Sequence, residues 1–110
     1  MLKKLMFQSL ALCLFVGLTA CGPDEEAEDV ASLTGDSAAG QSKYDSNCAV
    51  CHGSDGKSGT QNIDIVEETK EHGDAATADV ILNGKGSMPG FSGTLSDQDV
   101  ADTIAYIKTL

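Results

Sequence analysis

The sequence contains no arginine, and its seven lysines are outnumbered by 17 aspartates and glutamates, so the formal charge at pH 7 is −10. Nucleic-acid binding depends on basic side chains that neutralise phosphates, and this composition argues against it. Attraction to anionic lipid headgroups is disfavoured for the same reason. A strongly acidic surface instead favours solubility and steers encounter with basic partners.

Aromatic residues, prolines and long hydrophobic runs are also scarce. The 110 residues include no tryptophan, two tyrosines, three phenylalanines and two prolines, Pro23 and Pro89. The main apolar stretch, residues 5–16, is shorter than the roughly 20 residues that a membrane-spanning helix needs. We therefore expect one small domain that buries only a modest core of its own.

The N-terminus has the organisation of an export signal. Two lysines precede the apolar stretch, and residues 18–21 read Leu-Thr-Ala-Cys, like a bacterial lipobox whose cysteine is lipidated and becomes the mature N-terminus. Ordinary cleavage before the cysteine is the alternative, although Leu18 is bulkier than the residue such cleavage prefers at that position. We predict a signal peptide over residues 1–20 and a lipid anchor at Cys21.

The segment that follows, residues 21–34, is dominated by negative charge. Five acidic residues fall within positions 24–29, and such a run repels itself and has little apolar surface to bury. We predict an extended, disordered tether, with a solvated helical turn as the alternative. Residues 35–110 are then the folded domain.

The strongest motif is C-x-x-C-H, formed by Cys48, Cys51 and His52. It is the attachment signature of c-type haem, in which both thiols form thioethers with the haem and the imidazole becomes the fifth ligand of the iron. A thioredoxin-like redox pair, half of a zinc site and a strained disulfide are the alternatives. No βαβ pattern is visible, and a four-ligand zinc site would need His72 and an added carboxylate.

A low-spin electron-transfer haem also needs a sixth ligand. Met88 is the only methionine after the predicted signal peptide, and it lies before a proline in a glycine-rich loop, residues 84–93. Methionine more often fills gaps in a core, but such a loop is a poor place for that role. His72 is the rival, although its charged neighbours favour a solvated position. We predict Met88 as the sixth ligand.

Helical patterns connect these loops, and no segment alternates as a β-strand does. We predict helices over about residues 36–48, 63–72, 75–82 and from about residue 96 to the end of the domain. In the second of them Ile63 is expected to point inward. The last is the clearest, because Ser96 and Asp99 stand in capping-box relation before apolar residues at helical spacing.

Together these residues resemble the small class I bacterial cytochromes c. The resemblance covers about residues 36–110 and includes a first helix with Gly40 and Tyr44, the C-x-x-C-H motif, the glycine-rich Met-Pro loop and a last helix with Tyr106. It implies an all-α class I cytochrome c fold, with three to four short helices wrapped around one covalent haem c. It also implies that the first and last helices cross closely where Gly40 meets Tyr106.

The sequence departs from that family in the loop after the haem histidine. Members often have a proline there whose carbonyl accepts the imidazole proton, and no proline lies at this point of the chain. The resemblance then implies that another backbone carbonyl, near residues 58–60, accepts the proton from His52.

The function implied is that of a single-electron carrier, not an enzyme, with haem c held by Cys48 and Cys51 and ligated by His52 and Met88. We expect an exported monomer on the periplasmic side of a bacterial membrane, anchored through Cys21, whose redox partners present a basic docking face. A haem enzyme or ligand sensor is an alternative that requires a vacant or labile sixth position. A cytochrome subunit fixed in a larger oxidoreductase is another.

Overall fold

The computed structural model describes residues 22–110, so the predicted signal peptide and Cys21 lie outside the described residues. Within this range the secondary structure is helical, apart from an isolated β-bridge between Lys85 and Met88. The helices are α1 (Glu25–Ser32), α2 (Ser37–Asn47), α3 (Ala49–His52), α4 (Ile65–His72), α5 (Asp74–Asn83) and α6 (Asp97–Ile107). The all-α prediction is confirmed. The described chain has more helices than predicted because α1 and the single-turn α3 are added. None of them has the length and apolarity to cross a bilayer.

Side-chain caps mark the start of four helices, α1, α2, α4 and α6. Asp36 Oδ1 accepts hydrogen bonds from the N–H groups of Ala38 and Ala39 at 2.9 and 3.3 Å. At α6, Ser96 Oγ accepts from the Asp99 N–H while Asp99 Oδ2 accepts from the Ser96 N–H, both at 3.1 Å. The predicted capping box is therefore confirmed, and caps of this kind contribute about 1 kcal/mol each.

Two apolar clusters form the core. The larger combines α1, α5 and α6, and the smaller surrounds Tyr44, Cys48 and Ile107. The apolar faces predicted for α5 and α6 are buried as expected. Ile63 is 47% exposed, so its predicted inward position is wrong. The reason is that α4 begins only at Ile65, which leaves Ile63 in the preceding loop.

Residues 25–32 correct the prediction of an extended tether. They form α1, whose Ala27 and Val30 are 0% and 1% exposed and pack in the larger cluster. Three glutamates lie in the first turn of α1, where negative charge is favourable to the helix dipole. The helix could not be predicted from composition, because two apolar residues three positions apart are enough to bury one narrow face of a helix.

Helices α2 and α6 cross with their backbones in contact. A Cβ atom on Gly40 would overlap the carbonyl of Asp102, so only glycine fits there. The close crossing is as expected, but the atoms nearest to Gly40 are backbone atoms of Asp102 and Thr103 rather than an aromatic ring. Tyr106 packs instead on Tyr44, with ring centroids 5.3 Å apart. The crossing places α3, which directly follows α2, against the smaller cluster.

Candidate functional site

One large cavity brings together side chains from distant parts of the sequence. Its volume is about 880 Å³, and its lining includes Cys48, Cys51, His52 and Met88. This volume falls in the range of about 300–1,000 Å³ that is typical of ligand sites. The four side chains predicted to hold a cofactor therefore line the same cavity. A second groove of about 310 Å³, beside α1 and α6, contains none of them.

Cys48 is the N-cap of α3 and Cys51 lies within that helix. The two thiols are not joined in a disulfide. Burial, reinforced by the neighbouring Cys51, raises the pKa of the Cys48 thiol to about 11. A thioredoxin-like site needs a lowered thiol pKa, so this environment disfavours that alternative. Zinc is equally disfavoured, because the cluster of potential metal ligands found in residues 22–110 is exposed and contains neither cysteine. That cluster consists of Glu68, Glu71 and His72.

His52 is the last residue of α3 and lines the cavity. Its burial lowers the pKa of the imidazole, which favours the neutral form that binds metals. Within the described residues its Nδ1 atom is buried and has no hydrogen-bond partner. The predicted acceptor near residues 58–60 is therefore not found. The Gly59 carbonyl in that stretch accepts from the Asn62 N–H instead, at 3.3 Å.

The loop after His52 is fastened by short polar contacts. Asp55 Oδ1 accepts from the N–H groups of Lys57 and Ser58, both at 2.9 Å, and from Ser58 Oγ at 2.8 Å. These bonds, the Lys57 N–H foremost, lower the pKa of Asp55 to about 2. A Cβ on Gly59 would overlap the Cys51 carbonyl, so the loop lies directly on the C-x-x-C-H motif. Sequence reasoning treated this stretch only as a loop, although Asp before Gly is a turn signal.

Tyr44 connects α2 to the same loop. Its hydroxyl donates to the Gly53 carbonyl at 2.6 Å, and Gly53 has a φ of 77°. Burial, above all, raises the pKa of Tyr44 to about 12, so the phenol stays protonated and remains a donor. The sequence placed Tyr44 on the Gly40 face of the helix, but nothing in the pattern indicated this hydrogen bond.

Met88 lies in a tight turn that is closed on itself. The N–H of Lys85 donates to the Met88 carbonyl at 3.1 Å, and the N–H of Met88 donates to the Lys85 carbonyl at 3.0 Å. Gly84 has a φ of 80°, and a Cβ there would overlap the Met88 carbonyl. The Met88 side chain is half-buried and packs against the larger cluster. Gly84 thus allows the backbone conformation of this turn, and the turn places Met88 at the cavity.

His72, the rival ligand, sits at the rim of the cavity. Its side chain is 57% exposed, and its Nε2 lies 3.4 Å from Glu68 Oε2. This is the solvated position expected from its charged neighbours.

An all-helical domain whose first and last major helices cross backbone to backbone, and whose cavity holds a C-x-x-C-H turn and a loop methionine, defines a small class I cytochrome c. Comparison with known proteins gives the same class. Residues 35–107 match the sequence profile of the family described as cytochrome c oxidase, cbb3-type, subunit III. The chain is similar to cytochrome c6 of Thermostichus vulcanus, with 32% identity over 103 residues that cover 90% of this chain and 83% of the relative. It is also similar to cytochrome c6 of Limnospira maxima, with 36% identity over 86 residues that cover 66% of this chain and 91% of the relative.

The chain belongs to the cytochrome c family. It is therefore an electron-transfer protein rather than an enzyme, and its cofactor is one covalently bound c-type haem. The residues present fit that cofactor, since two free thiols and a half-buried imidazole line one cavity of adequate volume. The matched range begins after α1, so this helix lies outside the part of the chain that the family profile describes.

Proposed function

We propose that this protein is a single-electron carrier of an exported electron-transfer chain, in which Cys48 and Cys51 hold haem c and His52 and Met88 are the axial ligands. The observation that carries the proposal is the convergence of these four side chains on one cavity. When bound, the haem supplies an iron that gains or loses one electron.

Each of the four side chains has a distinct role. Thioether bonds at Cys48 and Cys51 keep the cofactor on an exported chain. The imidazole of His52, at the end of α3 and on the cavity wall, would ligate the iron in its neutral form. The thioether sulfur of Met88 would be the second iron ligand, and it would raise the potential relative to a second histidine. With Met88 as that ligand, no position would remain open to external ligands, as expected of a carrier rather than a haem enzyme or sensor.

Part of the remaining lining is apolar and would limit the access of water to the cofactor. Ile81, Phe91 and Ile107 contribute apolar wall to the cavity, and an apolar surrounding stabilises the less charged, reduced state of a redox centre. Burial of Ile81 and Ile107 in the two core clusters makes these walls part of the folded domain.

The intact mass of the denatured holoprotein tests the proposed attachment. In cells able to mature c-type haem, the wild-type chain should retain the haem mass after denaturation, and the double variant Cys48→Ser/Cys51→Ser should not. Cys21→Ser is the matched control, because it removes a thiol outside the motif and should retain haem. A wild-type mass equal to that of the polypeptide alone would contradict the proposal.

We further propose that residues 1–20 are a signal peptide and that Cys21 carries lipid, supported by the Leu-Thr-Ala-Cys sequence. Because α1 begins at Glu25, three residues would separate the anchor from the domain, and they can span only about 10 Å. The domain would then stay near the membrane surface rather than range on a long tether. Cys21→Ser should move the haem protein into the soluble fraction, and unchanged membrane retention would count against the anchor.

The charge of the domain supports a redox partner with a basic docking face. Residues 35–110 contain 12 acidic residues and five lysines, and three exposed glutamates lie on α4 beside the cavity rim. Charge of one sign speeds encounter with an opposite surface, and salt screens it over about 10 Å at 0.1 M. The second-order rate with the partner should fall as ionic strength rises. A flat or rising rate would remove the basic face from the proposal.

A fixed subunit of a larger oxidase is the second candidate, favoured by the description of the matching profile as an oxidase subunit. Mild detergent extraction followed by size separation distinguishes the two. A haem protein that migrates at its own mass supports the carrier, whereas stable co-migration with a membrane oxidase supports the subunit.

A further inference from the structure

Helix α1 and the residues before it lie outside the family profile, but they contact α5, the helix that leads into the methionine loop. The residues that lead into α1, Gly22 and Pro23, line the same cavity as Met88. The helix itself packs chiefly on α5, whose C-terminal end leads directly into the Met88 turn. Two residues outside the matched range 35–107, which lead into α1, thus form part of the cavity wall.

A single carboxylate joins α1 to the end of α5. Asp24 Oδ1 accepts from the Ala27 N–H at 2.8 Å and so caps α1. Its second oxygen, Oδ2, accepts from Asn83 Nδ2, also at 2.8 Å, across 59 residues of sequence. Asn83 Nδ2 donates in addition to Asp79 Oδ1 at 2.8 Å, which fixes the orientation of the amide.

Asn83 contacts both ends of the methionine loop. It is the last residue of α5, directly before Gly84. A Cβ on Gly90, at the other end of the loop, would lie 2.8 Å from the Asn83 carbonyl carbon. Movement of Asn83 would therefore shift both ends of the turn that presents Met88.

We propose that Asp24 and Asn83 are positioning residues for Met88, and that α1 clamps the root of the methionine loop through their hydrogen bond. The inference rests on the proposed role of Met88 as axial ligand. Loss of the bond should let the loop open more often, so that the sixth position is exposed more often while the rest of the domain keeps its stability.

Two single variants remove the bond from opposite sides. Asp24→Asn keeps a good N-cap for α1, but when its oxygen caps the helix its amide NH₂ faces the NH₂ of Asn83. Asn83→Ala removes the donor without altering α1. Glu25→Gln is the matched control, because it removes one negative charge from the same turn, and Glu25 is exposed.

Two measurements on the full-length holoprotein follow the loop. Amide hydrogen exchange at Lys85 and Met88, which bond to each other, reports opening whatever ligates the iron. The rate at which the ferric protein binds added imidazole reports exposure of the sixth position. Both should rise about fivefold in each single variant, the effect of one net hydrogen bond, and the double variant should show no further rise. Exchange at Val100 and Ile104, in α6, should stay unchanged in all of them, as should every value in Glu25→Gln.

The clamp is overturned if exchange at Lys85 and Met88 is unchanged in both single variants, or if the two effects add fully in the double variant. It is also overturned if exchange in α6 rises equally, because the bond would then contribute only to global stability. Faster exchange without faster imidazole binding would support the clamp but contradict Met88 as the ligand, so failure of the proposed ligation is distinguishable.

Discussion

The two segments that contribute the proposed iron ligands to the cavity are held in different ways. The histidine segment, residues 48–62, is fastened by near neighbours: Tyr44 to Gly53, and Asp55 to the backbone just after it. The methionine segment, residues 84–91, has the internal pair of Lys85–Met88 hydrogen bonds, and its ends are held by α5, which Asp24 joins to the start of α1. The difference teaches that one proposed ligand is positioned by a local motif and the other also by tertiary packing, so the methionine segment should be the easier to open.

Removal of the proposed sulfur ligand is the largest test of this contrast. In Met88→Ala the absorption band from ferric iron and methionine sulfur should vanish completely, the potential should fall, and the iron should accept added ligands. His72→Ala, a change at the exposed rim residue, should alter none of these. Loss of the band in the His72 variant alone would reverse the assignment.

Substitution of one glycine in each segment distinguishes the methionine segment from the histidine segment. The expected losses of stability are intermediate in size. Gly84→Ala combines a φ of 80° with an overlap of the Met88 carbonyl, and should destabilise the fold by about 2–3 kcal/mol and weaken the sulfur band. Gly59→Ala overlaps the Cys51 carbonyl and should cost about 1–3 kcal/mol while leaving the band in place.

Gly93→Ala is the control for both glycine changes, because a Cβ there meets nothing within 4 Å, and it should change stability by less than about 0.5 kcal/mol. Denaturant unfolding and optical spectra of the three variants supply the comparison. If Gly59→Ala removed the band and Gly84→Ala preserved it, the proposed sulfur ligand would depend on the histidine segment rather than on the methionine segment.

Tyr44→Phe tests the histidine segment with a smaller expected loss of stability. It removes the 2.6 Å hydrogen bond to the Gly53 carbonyl while keeping the ring pair with Tyr106. The free energy of unfolding should fall by about 1 kcal/mol, and the sulfur band should persist. A variant as stable as the wild type would mean that water replaces the hydroxyl without loss.

The smallest effect concerns pH and Asp55. Its pKa is lowered from 3.8 to about 2, first by the Lys57 N–H and then by Ser58. A lowered folded-state pKa stabilises the loop fully above pH 4, and this contribution is lost as the pH falls from about 4 towards 2. Exchange at the Gln61 amide, which bonds the Cys51 carbonyl, should rise more steeply over that range in the wild type than in Asp55→Asn. Equal slopes would show that the carboxylate does not hold the loop.

Local signals explain what could be predicted from the sequence. The C-x-x-C-H motif and the Ser96–Asp99 capping box each lie within five residues, and their chemistry is independent of distant contacts. Helix α1 was missed because the charges of residues 24–29 dominate its composition while its burial depends on α5 and α6. The bond from Asp24 to Asn83 spans 59 residues, and no pattern in one sequence pairs them. The role of Met88 could be proposed, but not what holds its loop.

The contact of Gly40 with Asp102 has a consequence for the order of assembly. It closes a ring of about 60 residues that contains the four side chains proposed to hold the haem, and chain entropy opposes such a closure until the two helices meet. The cavity is thus completed by the last helix rather than built up progressively from the first. A nascent chain that stops short of Asp97 would leave Tyr44 and Cys48 uncovered, so it would not present a partly finished site but an open chain with reactive thiols.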